Sequence, residues 1–333
     1  MLRQNAGKTG LVLLAVTWLL AGCEGLTQET PPLPPLPDTG LDAESDTAGD
    51  TVDNVDAEGD GSASLPDFEL GRMVEVSGAS FTMGSPDGAG GAREIGRDQD
   101  ETQHPVVVAD FALMANEVTQ LQWRTASSGL NPSAHVGCDD CPVESLDWYA
   151  AAAFANWVSR REGLEACYNF SGDCADAAVW GDGDAECGSV TFLGSSCGGY
   201  RLPTEAEWEF AYRAGTTTAF YTGTPIAADD CEPLASRMAW IDCNADETKP
   251  VGGREANSLG LSDMGGNVAE WVNDTYGPYQ APSLPAFWGA VDKVYRGGSF
   301  RNTAKAARAA NRGFGIVMGE ATTDIGFRLA RAR

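Results

Sequence analysis

The sequence predicts an α+β fold, built as a single irregular, loop-rich domain. Three observations carry that expectation. Three segments each combine a helix-start residue, an apolar stripe and a stop signal; the remaining apolar runs are short and broken by Gly-, Asn- and Asp-rich turns; and nothing recurs at a fixed period. With 333 residues, 43% of them hydrophobic, the chain can bury a sizeable core.

Arg3 and Lys8 give a positive start, and Leu11 to Leu20 is a short apolar run, the pattern of an export signal. The run is too short to span a bilayer. It ends in Leu20-Ala21-Gly22-Cys23, which resembles the lipobox at which bacterial lipoproteins are cleaved and acylated. Residues 1–22 are therefore expected to be a lipoprotein signal peptide and Cys23 the lipidated residue. That places the protein in the bacterial cell envelope, anchored to a membrane through lipid.

Residues 23–66 hold Pro31-Pro32-Leu33-Pro34-Pro35, then acidic residues, and no Lys or Arg. Such a segment cannot bury a core and is expected to be a disordered stalk. The folded domain then spans 67–333. Over the whole chain, 48 acidic residues face 22 basic ones, a formal charge of −26. That field repels phosphates, so no nucleic-acid partner is expected. Cations suit it better, and a protein or peptide is the expected larger ligand.

Setting Cys23 aside, the nine cysteines leave Cys138, Cys141, Cys167, Cys174, Cys187, Cys197, Cys231 and Cys243. An even set in an exported chain points to disulfides. The lone C-x-x-C, Cys138 to Cys141, has no second pair to complete a zinc site, so a structural bridge is expected there. Cys231 with Cys243 is the other local pair suggested by proximity.

Thr119 with Gln122 forms a capping-box start; Trp123 and Ala126 share a face, and Gly129 ends the first helix. Ser145 is the expected cap of the second, which buries Trp148, Ala151, Ala152 and Ala155 and closes with Arg160, Arg161 and Gly163. In the third, Thr204 and Glu207 form a capping box, Trp208, Ala211 and Tyr212 share a face, and Gly215 terminates.

Several segments in order carry a resemblance. Ser80-Phe81-Thr82-Met83-Gly84-Ser85, Glu101-Thr102-Gln103-His104-Pro105-Val106 and Asn116-Glu117-Val118-Thr119 are short. The specific ones are Tyr200-Arg201-Leu202-Pro203-Thr204-Glu205-Ala206-Glu207-Trp208-Glu209 and Gly260-Leu261-Ser262-Asp263-Met264-Gly265-Gly266-Asn267-Val268-Ala269-Glu270-Trp271. Arg296-Gly297-Gly298-Ser299-Phe300 and Ile325-Gly326-Phe327-Arg328 close the set. Together they resemble the formylglycine-generating enzyme, or sulfatase-modifying factor, family across residues 73–333. The resemblance implies an irregular, C-type-lectin-related α+β fold.

It also implies where chemistry would lie. In that family two cysteines, five apart after the Gly-Gly-Ser turn, bind monovalent copper and activate oxygen. Soft thiolates favour Cu(I). The matching residues are Asn302, a hard amide, and Ala307, which has no donor, and no cysteine follows Cys243. The pocket tryptophan of the Glu-Trp segment falls on Ala269, and Ser299 alone of that pocket is retained. Copper is thus not expected, and no catalytic residue is assigned.

The resemblance further implies one calcium, with side-chain oxygens from Asp263 and Glu270 and backbone carbonyls from Gly266 and Val268; hard oxygens are what calcium demands. The competing reading has Asp263 capping a turn and Glu270 in a buried salt bridge. His104 and His135 are the only histidines; a two-histidine-one-carboxylate iron site would need both, and nothing in their spacing supports one. No P-loop or H-E-x-x-H occurs. The leading functional expectation is a non-catalytic binding or interaction module, a pseudoenzyme. The alternatives are an oxidoreductase of the same family with a divergent site, and a structural envelope protein.

Overall fold

The computed structural model describes residues 66–172, 187–225, 229–279 and 292–333. The expected signal peptide, Cys23, the stalk up to residue 65 and Cys174 lie outside the described residues.

The expected helices form for the local reasons read above. α1 (Gln120–Ala126) opens on a reciprocal capping box between Thr119 and Gln122, and buries Gln120, Trp123 and Ala126. Gly129, with φ of 105°, turns the chain away after it. α3 (Glu205–Arg213) opens on the Thr204 and Glu207 box; Ala214 and Gly215, both at positive φ, end it.

The start of α2 (Trp148–Arg161) corrects the expectation at Ser145. Its cap is Asp147, which accepts the Ala150 N–H at 2.7 Å. Ser145 stands two residues too early, at φ of 60°, and donates its hydroxyl to Glu144 at 2.6 Å. An N-cap must immediately precede the first helical residue. The sequence reading also missed α4 (Pro233–Met238), although Pro233 at its first position and the capping carboxylate of Glu232 were visible.

Two four-stranded sheets frame the core. One has the order β1 (Met73–Val76), β4 (Phe111–Met114), β12 (Ala330–Ala332), β7 (Tyr200–Arg201), all antiparallel. The other runs β10 (Arg312–Gly313), β9 (Lys293–Arg296), β8 (Ala269–Thr275), β11 (Ile325–Gly326), with β11 parallel to β8. Two further pairs are β2 (Ser80–Met83) with β3 (His104–Val107), and β5 (Tyr168–Gly172) with β6 (Cys187–Phe192).

β4 is buried on both faces, and its period of two divides the core. Phe111 and Leu113 pack with Trp208, Tyr212 and Val272; Met114 packs with Trp123, Phe154 and the alanine face of α2. Each large side chain so buried contributes about 1.5–3 kcal/mol.

Much of the fold is irregular, and buried ion pairs tie distant segments of it together. Arg201, Arg296, Arg308 and Arg328 are fully buried, and each meets a carboxylate: Glu207, Glu209, Glu101 and Glu270 respectively. A buried charge persists only when paired in this way. Cys138 bonds Cys141 and Cys231 bonds Cys243, as proximity suggested, and Cys167 bonds Cys197.

Candidate functional site

Three strand ends converge at one place. β8 begins at Ala269, its antiparallel neighbour β9 ends at Arg296, and the parallel β11 begins at Ile325. The residues just beyond these ends are therefore neighbours. The Gly266 N–H bonds the Gly297 carbonyl at 3.0 Å, the Phe300 N–H the Asn267 carbonyl at 2.9 Å, and the Ala269 N–H the Asp324 carbonyl at 2.9 Å. Such close approach needs glycine: a Cβ on Gly266 would stand 2.2 Å from the Trp240 carbonyl oxygen, and one on Gly298 would stand 2.7 Å from Ala306 Cβ.

Ser299 sits at this junction, fully buried. Its hydroxyl lies 2.7 Å from Asp324 Oδ2 and 3.1 Å from Asn302 Oδ1, and accepts the Arg301 N–H at 3.2 Å. With one proton to donate, the shorter contact to the carboxylate takes it. Asn302 Oδ1 also accepts the Ser299 N–H at 2.9 Å. Asn302 thus holds the turn, the usual work of a short amide near the backbone.

Ala307 has no exposed surface; its carbonyl accepts the Tyr212 hydroxyl, and its side chain packs in the core with Met238 and Met264. At these two positions the available atoms are one engaged amide and one methyl. They do not fit a Cu(I) ion, which asks for soft sulfur. Ala269, where the resemblance places a tryptophan, is likewise buried. Beside the turn opens a cavity of about 210 Å³, lined by Tyr295, Asn302, Asn311, Arg312, Gly313 and Phe314 among others.

The implied calcium ligands lie in the loop before β8 and at its start. Asp263, at φ of 53°, accepts the Gly252 N–H at 2.5 Å through Oδ2, while its buried Oδ1 has no hydrogen-bond partner. An orphaned buried carboxylate oxygen fits a cation. Glu270 does not offer the same freedom: Oε1 accepts from Arg328 at 2.7 Å, and Oε2 from Arg328 and the Trp208 indole, both at 2.8 Å. So the implied set is open at Asp263 and occupied by a guanidinium at Glu270.

The electrostatics favour added positive charge nearby. Burial, opposed by the Gly252 hydrogen bond, pushes Asp263 up to about 6. Glu117, which accepts from Asn267 Nδ2 at 2.8 Å and the Val268 N–H at 3.1 Å, is raised well above its ordinary value by burial and then by Asp263 and Glu270. Among the described residues, no group of three or more His, Cys, Asp or Glu side chains is arranged to hold a metal.

The two histidines have separate surroundings. His104, in β3, lies against Tyr279 with ring centroids 4.3 Å apart. His135 packs edge-on to Phe300 at 5.0 Å, and its Nδ1 is 3.1 Å from Glu144 Oε1. That pairing with the fully buried Glu144, like the parts played by Asp324 and Glu117, escaped the sequence reading. Glu117 stood within a quoted motif; Asp324 directly preceded another; nothing local marked Glu144.

The sulfatase-modifying factor enzyme 1-like domain profile matches residues 62–333. The chain belongs to that family. Its relatives include the chaperone protein LppX of Paenibacillus barcinonensis, 34% identical over 189 residues, 53% of this chain and 66% of that one. The chain thus spans just under two thirds of that relative's length. The formylglycine-generating enzyme of Mycobacterium tuberculosis is 28% identical over 262 residues, 65% of this chain and 78% of the enzyme. Among solved structures, Treponema denticola variable protein 1 superposes with a TM-score of 0.65 at 28% identity, covering 78% of this chain and 95% of that one. Of the motifs that carry the resemblance, the structure shows the Gly-Gly-Ser turn with Ser299 bonded to Asp324, and the Arg328–Glu270 pair. The two positions that the resemblance gives to copper hold an amide and a methyl.

Proposed function

We propose that this protein is a non-catalytic binding module of the sulfatase-modifying factor family, carried on a lipid-anchored acidic stalk in the bacterial cell envelope. One observation carries the first part: Asn302 spends its carbonyl oxygen holding the Ser299 turn, and Ala307 is sealed in the core, so neither copper position has a soft donor. What remains beside the turn is a cavity of about 210 Å³ with aromatic, amide and guanidinium walls. Such walls suit a peptide segment of a partner protein. The relative named as a chaperone fits a binding role, and the relative named as an enzyme marks the activity to be tested.

The deciding experiment supplies purified protein with Cu(I), oxygen and a peptide bearing Cys-x-Pro-x-Arg, and follows the peptide mass. No formylglycine is expected. Copper-dependent conversion would restore the oxidoreductase reading and require another ligand set. The anchor has its own test. Cys23→Ser is expected to release the protein from the membrane fraction, and retention of that variant would remove the lipid anchor from the proposal.

Calcium, as the family resemblance implies it, would be held through Asp263 with the Gly266 and Val268 carbonyls. There it would offset the buried negative charge of Glu117 and Asp263 and brace the loop before β8.

A further inference from the structure

Five planar groups stack in a row beside the Ser299 turn. Phe314 lies on Tyr276 with ring centroids 4.1 Å apart and planes 13° apart. The Arg312 guanidinium is 4.8 Å from the Tyr276 ring and 4.1 Å from the Tyr279 ring, and Tyr279 meets His104 at 4.3 Å. The row is pinned along its length. Arg312 donates to Glu205 at 2.7 and 3.0 Å, the Tyr276 hydroxyl donates to Asp100 at 2.9 Å, and Tyr279 donates to Glu205 at 3.4 Å.

Phe314 ends this row inside the cavity beside Asn302. One of its faces is covered by Tyr276, yet the residue is 50% exposed, so its outer face is open. A ring held in place before binding adds contact area with little further loss of freedom. The charge of Arg312, already matched by Glu205, leaves the cavity without a free cation to attract an anion.

The same cavity holds two side-chain amides with complementary groups to spare. Asn302 uses Oδ1 on the Ser299 N–H, leaving its Nδ2 donor. Asn311 uses Nδ2 on Asp98 at 3.3 Å, leaving its Oδ1 acceptor. One donor and one acceptor are what a single peptide group requires. We infer that the ligand of this groove is a peptide with an aromatic side chain, its ring stacked on the open face of Phe314 and an adjacent peptide group bonded to Asn302 and Asn311. This rests on the binding-module reading and names the ligand class it would take.

The test titrates purified protein with acetylated, amidated pentapeptides Gly-Gly-Xaa-Gly-Gly in which Xaa is Trp, Leu or Arg, followed by saturation-transfer NMR and fitted affinities. The Trp peptide is expected to bind at least about tenfold tighter than the Leu peptide, with transfer strongest at its indole protons. Phe314→Ala should abolish that preference, while Phe314→Tyr, which restores a ring, should keep it. Both variants alter a half-exposed side chain, and thermal melts check that they remain folded. Equal binding of all three peptides would overturn the aromatic inference and leave the binding module standing. Preference for Arg would overturn it in favour of a cationic ligand. No binding by any peptide would remove both the inference and the peptide reading of the groove. Trp preference that survives Phe314→Ala would place the aromatic site elsewhere and overturn the assignment.

Discussion

Arg296 and Glu209 meet at 2.6 Å with neither side chain exposed, joining the end of β9 to the middle of α3. The arginine also reaches Glu205 at 3.3 Å and the Ala309 carbonyl at 2.6 Å, and Glu209 accepts from Arg213 and from the Gly84 N–H. One buried pair therefore connects α3, the β2 end and the residues that follow the Gly-Gly-Ser turn.

Arg296→Met should destabilise the protein by about 3–5 kcal/mol, because it strands Glu209 partly unpaired in the core. Chemical denaturation of the two proteins at one pH measures the difference. A loss below about 1 kcal/mol would mean that Arg213 alone satisfies Glu209.

The Cys167–Cys197 bridge joins the start of β5 to the chain entering β7. Replacing both cysteines by alanine should cost about 2–5 kcal/mol, the usual range for exported domains. Non-reducing peptide mapping should recover the 138–141, 167–197 and 231–243 linkages. Free thiols at these positions in the exported protein would contradict the pairing.

Asp147 caps α2 from a half-buried position, and the loss of water around its carboxyl pushes it up to about 6 from an ordinary 3.8, against the pull of the Ala150 and Tyr149 N–H groups. Between those two values the folded state holds a proton that the unfolded state has released. Its contribution to stability must therefore fall as pH rises from about 4 to about 6, then level off. Asp147→Asn keeps the cap acceptor without the charge. The variant should match the parent near pH 4 and exceed it at pH 7 by at most about 3 kcal/mol. Melts across that range test the sign; a variant less stable than the parent at pH 7 would show that the charged cap is favoured.

Chelation is expected to lower the thermal midpoint if calcium occupies the Asp263 loop, since a ligand of the folded state alone stabilises it, by about 2.7 kcal/mol at a hundredfold excess over Kd. Asp263→Ala should abolish the response to chelator, and Glu270→Ala should destabilise with or without it, because Arg328 loses its partner. An unchanged midpoint together with calcium-free protein by metal analysis would refute the site.

By itself the sequence determined what local chemistry controls. Thr119 with Gln122 and Thr204 with Glu207 specified two helix starts, because a capping box is closed within four residues. The same locality explains the error at Ser145: two residues of the right type stood two positions apart, and the choice of Asp147 depends on where the packed helix begins. The family, too, was legible, since its motifs are contiguous.

Tertiary structure decided which charges meet and which atoms are left over. Glu270 could have been a calcium ligand or a salt-bridge partner; Arg328, 58 residues away, takes both its oxygens. Asp263 Oδ1 is left without a partner, and the five-membered stack ending at Phe314 draws on segments from His104 to Phe314. Burial and long-range pairing set the energy of a charge or a ring, and both arise only when distant segments are brought into contact.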